Sequence, residues 1–311
     1  MIFLAQNNKS ASDSTTFTQV KSLEPPYPDV SAIIREKGQQ LQPTSLNGSN
    51  WTLTDTSSAN RLKKMEEASI RLGEYVNGQI YYGVKTGFNK AFIIDKATKN
   101  KLVAQDLKSA EIIKPLSVGK DIRKWCIDRQ DNWLILTKRG INIDAYPVIK
   151  AHLANWQLEL TPKITGKEAY GRVGGNYRWY ELQASPGDTE RFERVKIIFP
   201  DIAKEPRFAL DTKNFYVNDT TFVIPAHDLY LLGILNSSSV KMFYFEISPQ
   251  IRGGYLRFKR QYVEKIPIPN ASTTERQAIS QLVQKCLDAK GVNCEKWEKE
   301  IDERVAALYG L

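Results

Sequence analysis

The stretch YYGVKTGFNKAFII, residues 81–94, sets two glycines and two lysines between an aromatic pair and an apolar run. A phosphate-binding P-loop places its lysine directly before a serine or threonine, after the last glycine and at the start of a helix. Here Lys85 and Thr86 precede Gly87, and the residues that follow, KAFIID, are strand-like. The order of residues therefore excludes a nucleotide cradle and predicts a turn that leads into a β-sheet.

Short apolar runs of the same kind, broken by Gly, Pro and Asn, recur over residues 80–268. This rhythm is typical of a strand-rich domain, and helices are expected within it at 146–158 and 227–245. On the N-terminal side, TDTSSANRLKKMEEASIRLGEYV predicts a helix over 55–75. We therefore expect an α+β fold with a strand-rich recognition domain, flanking helices and a helical C-terminal tail.

Composition divides the chain into three parts. Residues 1–50 are rich in Pro, Ser and Asn and are expected to be a linker or the remnant of an upstream domain. Residues 51–268 form the central domain, with the helix at 55–75 followed by mixed α/β structure at 76–268. Residues 269–311 have helical periodicity and nearly balanced charge, which predicts a tail that supports folding or docks a partner.

The overall charge favours an anionic partner. Lysine and arginine number 44 against 35 for aspartate and glutamate, a formal net charge of +9, and such an excess is common in proteins that bind nucleic acid. The three scattered cysteines indicate neither a disulfide framework nor a metal knuckle. No stretch approaches the roughly 20 apolar residues that span a membrane. We expect a soluble, cytoplasmic protein without a membrane partner.

Two segments of the sequence partly match motifs of enzymes that act on DNA. Adenine-N6 methyltransferases carry Asp, Asn or Ser before Pro-Pro-Tyr, but here Glu24 precedes Pro25-Pro26-Tyr27 and no glycine-rich cofactor segment accompanies it. We therefore assign no catalytic residue and no cofactor to this chain. Asp201, Asp211 and Lys213 formally match the PD…(D/E)xK pattern of metal-dependent nucleases, yet DTKNFY equally predicts a hairpin turn.

Basic residues concentrate in three segments: 85–101 with five lysines against one aspartate, 114–139 with seven basic against three acidic residues, and 250–265 with five against one. Between them, GRVGGNYRWYEL at 171–182 alternates arginine with aromatic residues. Arginine pairs with phosphate or guanine, and aromatic rings either stack on bases or pack in a core. The pattern favours contact with nucleic acid. The aromatic rings could either stack on bases or pack in the core, and both alternatives stay open.

From about Trp51 to Leu311 the order of segments resembles the TaqI-like C-terminal specificity domain of type IIG restriction-modification enzymes and adenine-specific DNA methyltransferases. The resemblance is carried, in the family's order, by GVKTGFNKAFIID, EIIKPLSVGKDIRKW, YPVIKAHL, NYRWYEL, KIIFPDIAKEPRFALD, YLLGILNSSSVKMFYF, RGGYLRFKRQYVEKIPIP and IDERVAALYGL.

The resemblance implies sequence-specific binding of double-stranded DNA that directs an adenine-N6 methyltransferase, and in type IIG enzymes a nuclease, to a short site in bacterial defence. In that family the catalytic domain lies upstream. S-adenosylmethionine would thus be bound by a missing upstream domain or by a methyltransferase or nuclease subunit acting as partner. Two alternatives stay open: an autonomous metal-dependent nuclease, and a protein-interaction module of a restriction complex.

We expect the DNA contacts to come from polar and aromatic side chains of the glycine loops and basic segments. Arg257 and Lys259 are expected to neutralise phosphates, and Arg178 to read a base edge. The DNA-binding candidates are Lys85, Asn89, Lys90, Lys120, Arg123, Lys124, Arg172, Tyr177, Arg178, Arg252, Tyr255, Arg257 and Lys259.

Overall fold

The structure is a computed structural model that describes residues 15–18, 20, 26–41, 56–67, 69–184, 189–251 and 253–311. The chain divides into two units, Met1–Glu67 and Ala68–Leu311. In the smaller unit two short strands pair antiparallel, and the Asp29 carboxylate caps the first helix. The elements of this unit are β1 (Thr15–Phe17), α1 (Val30–Lys37), β2 (Gln39–Leu41) and α2 (Thr56–Glu67).

The larger unit mixes strands and helices, which confirms the expected α+β class. Its strands are β3 (Ser69–Arg71), β4 (Tyr81–Tyr82), β5 (Ile93–Asp95), β6 (Ile113–Ser117), β7 (Asn132–Ile135), β8 (Lys196–Pro200), β9 (Ile202–Ala203), β10 (Ala209–Asp211), β11 (Tyr216–Val217), β12 (Thr221–Ile224), β13 (Gln250–Ile251), β14 (Tyr255–Arg257) and β15 (Pro267–Pro269).

Helices separate these strands. They are α3 (Leu72–Tyr75), α4 (Asn89–Phe92), α5 (Lys96–Gln105), α6 (Pro147–Ala154), α7 (Gln157–Leu160), α8 (Leu229–Leu235), α9 (Ser238–Ile247), α10 (Arg260–Val263), α11 (Thr273–Asp288) and α12 (Glu295–Leu308). Over the described part of the chain, no helix combines the length and the apolar character needed to cross a membrane.

Two four-stranded sheets form the middle of the larger unit, with strand orders β10-β8-β12-β4 and β11-β6-β7-β5. Their neighbouring strands run antiparallel except β11 and β6, which are parallel. Ile198 and Val223 of the first sheet and Leu116, Leu134 and Val217 of the second belong to one buried cluster. This shared core fixes the loops at the sheet ends, because closely packed interiors yield little.

Of the two C-terminal helices, α11 packs on α8, and α12 packs on α11 and α9. A Cβ added at Gly233 would lie 2.8 Å from Ile279 and 2.9 Å from Val283, so the glycine permits the close approach of α8 and α11. Ser272 caps α11 by accepting from the Glu275 amide, and the buried Tyr309 hydroxyl donates to the Pro267 carbonyl at 2.6 Å. The tail is therefore an integral part of the larger unit.

The helix predicted over 55–75 is interrupted at residues 69–71, whereas Thr56–Glu67 and Leu72–Tyr75 are helical as α2 and α3. Helix α2 ends at Glu67, and Ser69–Arg71 is extended as β3, with Ile70 paired antiparallel to Ile268 of β15. Backbone pairing with a strand distant in sequence outweighs local helix propensity here. The expected helix at 227–245 is likewise two helices, because the Asn236 side chain hydrogen-bonds both backbone groups of Phe208 and ends α8.

Candidate nucleic-acid interface

The turn Asn218–Thr221, which we call the hub turn, contacts Gly83 beside the first basic segment and Gly119 in the second, and it is linked to the third through Asp201. The Gly83 amide donates to the Thr221 carbonyl at 2.9 Å, and the Gly119 amide donates to Thr220 Oγ1 at 3.1 Å. The Asp201 amide donates to the Thr220 carbonyl at 2.9 Å, and the Asp201 carbonyl accepts from the Phe258 amide at 2.7 Å. Segments far apart in sequence thus meet at one turn.

The hub turn holds its own shape through Asn218, which is buried. Asn218 Oδ1 accepts from the Thr220 hydroxyl at 2.6 Å, and the Asn218 carbonyl accepts from the Thr221 amide at 3.0 Å. Asparagine suits such turns because its side chain bonds nearby backbone and side-chain groups. Sequence reasoning missed this turn as part of the site, although NDTT between two apolar runs is a turn signal.

The first basic segment is anchored at its glycines. A Cβ added at Gly83 would lie 2.2 Å from the Asn218 carbonyl oxygen, so only glycine allows this approach. Lys85 exchanges two backbone hydrogen bonds of 2.9 Å with Ala184, and the buried Thr86 hydroxyl donates to Asn89 Oδ1 at 2.6 Å. Lys85, Asn89 and Lys90 are exposed. The predicted turn is confirmed, but KAFIID first forms α4 and only then β5.

The second basic segment presents Lys120 and Arg123 to solvent. Its turn is held by Asp121, whose buried carboxylate accepts from the Val118 amide at 2.9 Å; burial raises the pKa of Asp121. Lys124 differs from its neighbours because its Nζ lies 2.9 Å from Oε1 of Glu298 on α12. The charge of Lys124 is therefore already compensated by the tail, unlike the positive charge of Lys120.

In the third basic segment, the two predicted phosphate contacts differ in how far their charge is compensated. Arg257 Nη1 lies 2.9 Å from Asp201 Oδ2, whereas Lys259 is exposed and forms no ion pair with any residue that the structure describes. Tyr255 is 39% exposed and is available to a ligand. Arg252 lies outside the described residues. Of the two predicted phosphate contacts in this segment, Lys259 has the freer charge.

The predicted DNA contact at Arg172 is wrong, because the side chain is only 4% exposed. Its guanidinium donates to the backbone carbonyls of Leu160 at 2.8 Å, Thr86 at 2.7 Å and Trp179 at 2.9 Å. Burial lowers the pKa of Arg172 to about 10, so it stays charged at neutral pH. Arg172 ties the first basic segment to residues 160–179 instead of facing DNA.

The predicted DNA contact at Tyr177 is also corrected. This side chain is only 8% exposed, and its ring lies 4.6 Å from the Arg172 guanidinium. The Tyr177 hydroxyl donates to the Val173 carbonyl. Tyr180 is buried as well. For these two rings the core alternative is therefore correct, while Arg178 stays exposed with Nη1 2.7 Å from the Tyr180 hydroxyl.

In the structure, the two aspartates of the nuclease alternative are engaged with basic side chains. Asp211 is fully buried, with Oδ2 2.5 Å from Nζ of the equally buried Lys196. Its carboxylate also accepts from the amides of Lys213 and Phe215, both at 2.8 Å. Asp201 pairs with Arg257, and no group of three metal-ligating side chains occurs within the described ranges. The turn after Asp211 joins strands of different sheets, so it is not a hairpin either.

Comparisons with known proteins give a family match and several relatives. Residues 114–268 match the TaqI-like C-terminal specificity domain. Type II methyltransferase M.BanIII of Aneurinibacillus aneurinilyticus is 25% identical over 251 residues, which cover 74% of this chain and 41% of that protein. Type II methyltransferase M.PaeR7I of Pseudomonas aeruginosa is 24% identical over 310 residues, which cover 96% of this chain and 49% of that protein.

Among solved structures, the type IIL restriction-modification enzyme MmeI in complex with DNA aligns with a TM-score of 0.54 at 15% identity, over 75% of this chain and 32% of that chain. This likeness shows a shared fold. The chain spans less than half the length of the two curated methyltransferases.

Proposed function

We propose that this chain is the DNA-recognition part of an adenine-N6 DNA methyltransferase of a restriction-modification system, and that it binds double-stranded DNA at a specific site. The observation that carries the proposal is the hub turn, which bonds Gly83 beside the first basic segment and Gly119 in the second, and which is linked to the third segment through Asp201. A polyanion with regularly spaced phosphates is the ligand that such a clustered basic surface suits.

The free cations support the proposal further. Lys85, Lys90, Lys120 and Lys259 are exposed, and none of them forms an ion pair with another described residue. Each is therefore available to displace counterions from DNA phosphates. Arg178, on the neighbouring loop, presents a planar donor fork that fits the acceptor edge of guanine. We assign phosphate contacts to the lysines and base reading to Arg178.

Methyl transfer itself is assigned to an upstream domain or a partner subunit. Glu24 and Pro25 of the approximate Pro-Pro-Tyr turn lie outside the described residues. Glutamate in place of Asp, Asn or Ser at the first position argues against this turn as a catalytic motif. Calorimetry is expected to show no binding of S-adenosylmethionine by the purified chain, and micromolar affinity would overturn this part of the proposal.

The test compares two charge reversals. One variant replaces Lys85, Lys90 and Lys259 by Glu, and its matched control replaces Lys285, Lys290 and Lys296, which are exposed on or beside the tail helices. Both variants change the net charge equally. Fluorescence anisotropy with a mixed-sequence duplex at several salt concentrations is expected to show lost binding for the first variant and near-normal binding for the second.

Equal losses in the two variants would mean that only net charge matters, and would contradict the assigned surface. Absence of salt-sensitive DNA binding by the unmodified chain would favour the protein-interaction alternative instead, because counterion release makes phosphate binding fall steeply with salt.

A further inference from the structure

Residues 163–174 form a loop that we call the projecting loop. It lies between Leu160 and Trp179, whose backbone carbonyls both accept from the Arg172 guanidinium. Its base is closed by two backbone hydrogen bonds, from the Lys163 amide to the Arg172 carbonyl at 2.9 Å and from the Arg172 amide to the Thr161 carbonyl at 3.1 Å. A Cβ added at Gly166 would meet nothing within 4 Å, so the chain around Gly166 is surrounded by solvent.

The tip of the projecting loop is ordered by Glu168. Its Oε1 accepts from the amides of Ile164 at 3.1 Å and Thr165 at 2.9 Å, and also from the Thr165 hydroxyl. These hydrogen bonds favour the ionised carboxylate and lower the pKa of Glu168 to about 2. The Glu168 carboxylate is therefore ionised at neutral pH, and its charge is engaged within the loop.

Three apolar side chains of this ordered loop lie in water: Ile164 is 95% exposed, Val173 is 67% exposed and Tyr170 is 62% exposed. Single exposed apolar residues are ordinary, but several on one fixed loop indicate a contact surface. Folding gains nothing from them, since their apolar area is not removed from water.

The charges around the projecting loop identify its partner. Lys163 and Lys167 have no ion-pair partner in the part of the chain that the structure describes, whereas the nearby Glu181 is buried and accepts from the amides of Gly140 and Arg178. The Arg172 guanidinium joins the loop's base to the carbonyl of Thr86, in the segment that carries Lys85 and Lys90. The exposed apolar side chains of the projecting loop are thus accompanied by free positive charge.

We propose that the projecting loop enters a groove of the DNA duplex, with Ile164 and Val173 against base edges and Lys163 and Lys167 on the flanking phosphates. This inference rests on the proposed function. Groove floors offer apolar surface, such as the thymine methyl group, to side chains that reach them. Arg172 then acts as a positioning residue, because a loop held rigid before binding loses less entropy on binding.

The experiment uses the full chain and a randomised duplex library. One variant combines Ile164→Ser with Val173→Ser, and both positions are exposed, so the fold should persist. A second variant exchanges the two residues as Ile164→Val with Val173→Ile, which keeps the apolar surface. Leu107→Ser, at a position 80% exposed on another part of the unit, is the matched control.

The serine variant is expected to lose base preference at one or more positions of the selected site. Its affinity for the wild-type site should fall about tenfold, with an unchanged salt slope because no cation is removed. The exchanged variant and Leu107→Ser should select the wild-type site. Selection of the same site with the same affinity by the serine variant would overturn the inference. If the unmodified chain selects no site at all, the proposed function fails, and this inference fails with it.

Discussion

The indole nitrogen of Trp125 donates a hydrogen bond to the carboxylate of Glu298 and so joins the second basic segment to the C-terminal tail. The same oxygen, Glu298 Oε1, lies 2.9 Å from Lys124 Nζ. Trp125 is buried with a φ of 71°, a left-handed conformation that is costly for a bulky side chain. Helix α12 therefore holds a strained turn beside Lys120 and Arg123.

Glu298→Ala should destabilise the protein by about 1–3 kcal/mol, because the buried indole N–H loses its acceptor. Glu298→Gln should cost less, since the amide oxygen still accepts from Trp125. Urea unfolding measures both, with Glu303→Ala as the control because Glu303 is exposed and forms only a surface ion pair. A cost for Glu298→Ala no larger than that of the control would show that the contact does not support the turn.

Arg172→Lys should destabilise the fold by about 3 kcal/mol, although the positive charge is kept, because one ammonium cannot satisfy the separate carbonyls that the guanidinium bonds. Arg178→Ala should change stability by less than about 0.5 kcal/mol, as expected for an exposed side chain. Chemical unfolding of the two variants separates these roles. Equal stability of the Arg172→Lys protein and the wild type would contradict the role of Arg172 in joining the first basic segment to residues 160–179.

Lys259→Ala should reduce the salt slope of DNA binding by about one unit at every sequence, as loss of one phosphate contact does. Arg257→Ala should reduce it less, since Asp201 already pairs with Arg257 at 2.9 Å. Binding isotherms at several salt concentrations test the order of the two effects. A larger change for Arg257→Ala would mean that Asp201 releases Arg257 to DNA.

The burial of His152 predicts that the stability of the protein depends on pH. Its ring is half-buried with Nε2 3.2 Å from the Ala91 carbonyl, and burial lowers the pKa of His152 below the usual value. The unfolded chain therefore binds the proton more readily than the folded protein. The contribution of the neutral His152 ring to the free energy of unfolding is complete above about pH 6.5, and it is lost as the pH falls through the lower pKa of the folded protein. Urea unfolding from pH 7 to pH 5.5 should show this loss.

His152→Gln should flatten that profile, whereas His227→Gln, at the exposed histidine, should leave it unchanged. An unchanged slope in the His152→Gln protein would assign the pH dependence to other groups.

Local patterns predicted elements well and contacts poorly. In YLRFK the side chains alternate as a strand pattern predicts, since Leu256 and Phe258 are buried while Tyr255 and Lys259 are exposed. The alternation stops at Arg260, which is exposed, because β14 ends at Arg257 and α10 begins at Arg260. Where a strand ends depends on pairing partners that one segment does not contain.

The two arginines of GRVGGNYRWYEL show why the site was only partly predictable. Arg172 and Arg178 stand in similar aromatic surroundings, yet Arg172 is buried and Arg178 is exposed. The difference comes from carbonyl acceptors on Thr86 and Leu160, whose position depends on the tertiary fold. The hub turn escaped prediction for the same reason, since backbone groups make most of its contacts.

Selection from a randomised duplex library at several salt concentrations, for the wild type and Arg178→Ala, tests the central claim of specific DNA recognition most directly. We predict that the wild type enriches one short site and that its affinity falls linearly with salt on logarithmic scales. Arg178→Ala should lose about 1–3 kcal/mol at that site while its non-specific affinity barely changes. A wild-type protein that enriches no sequence would contradict the account, and an unchanged preference in Arg178→Ala would contradict the base-reading role.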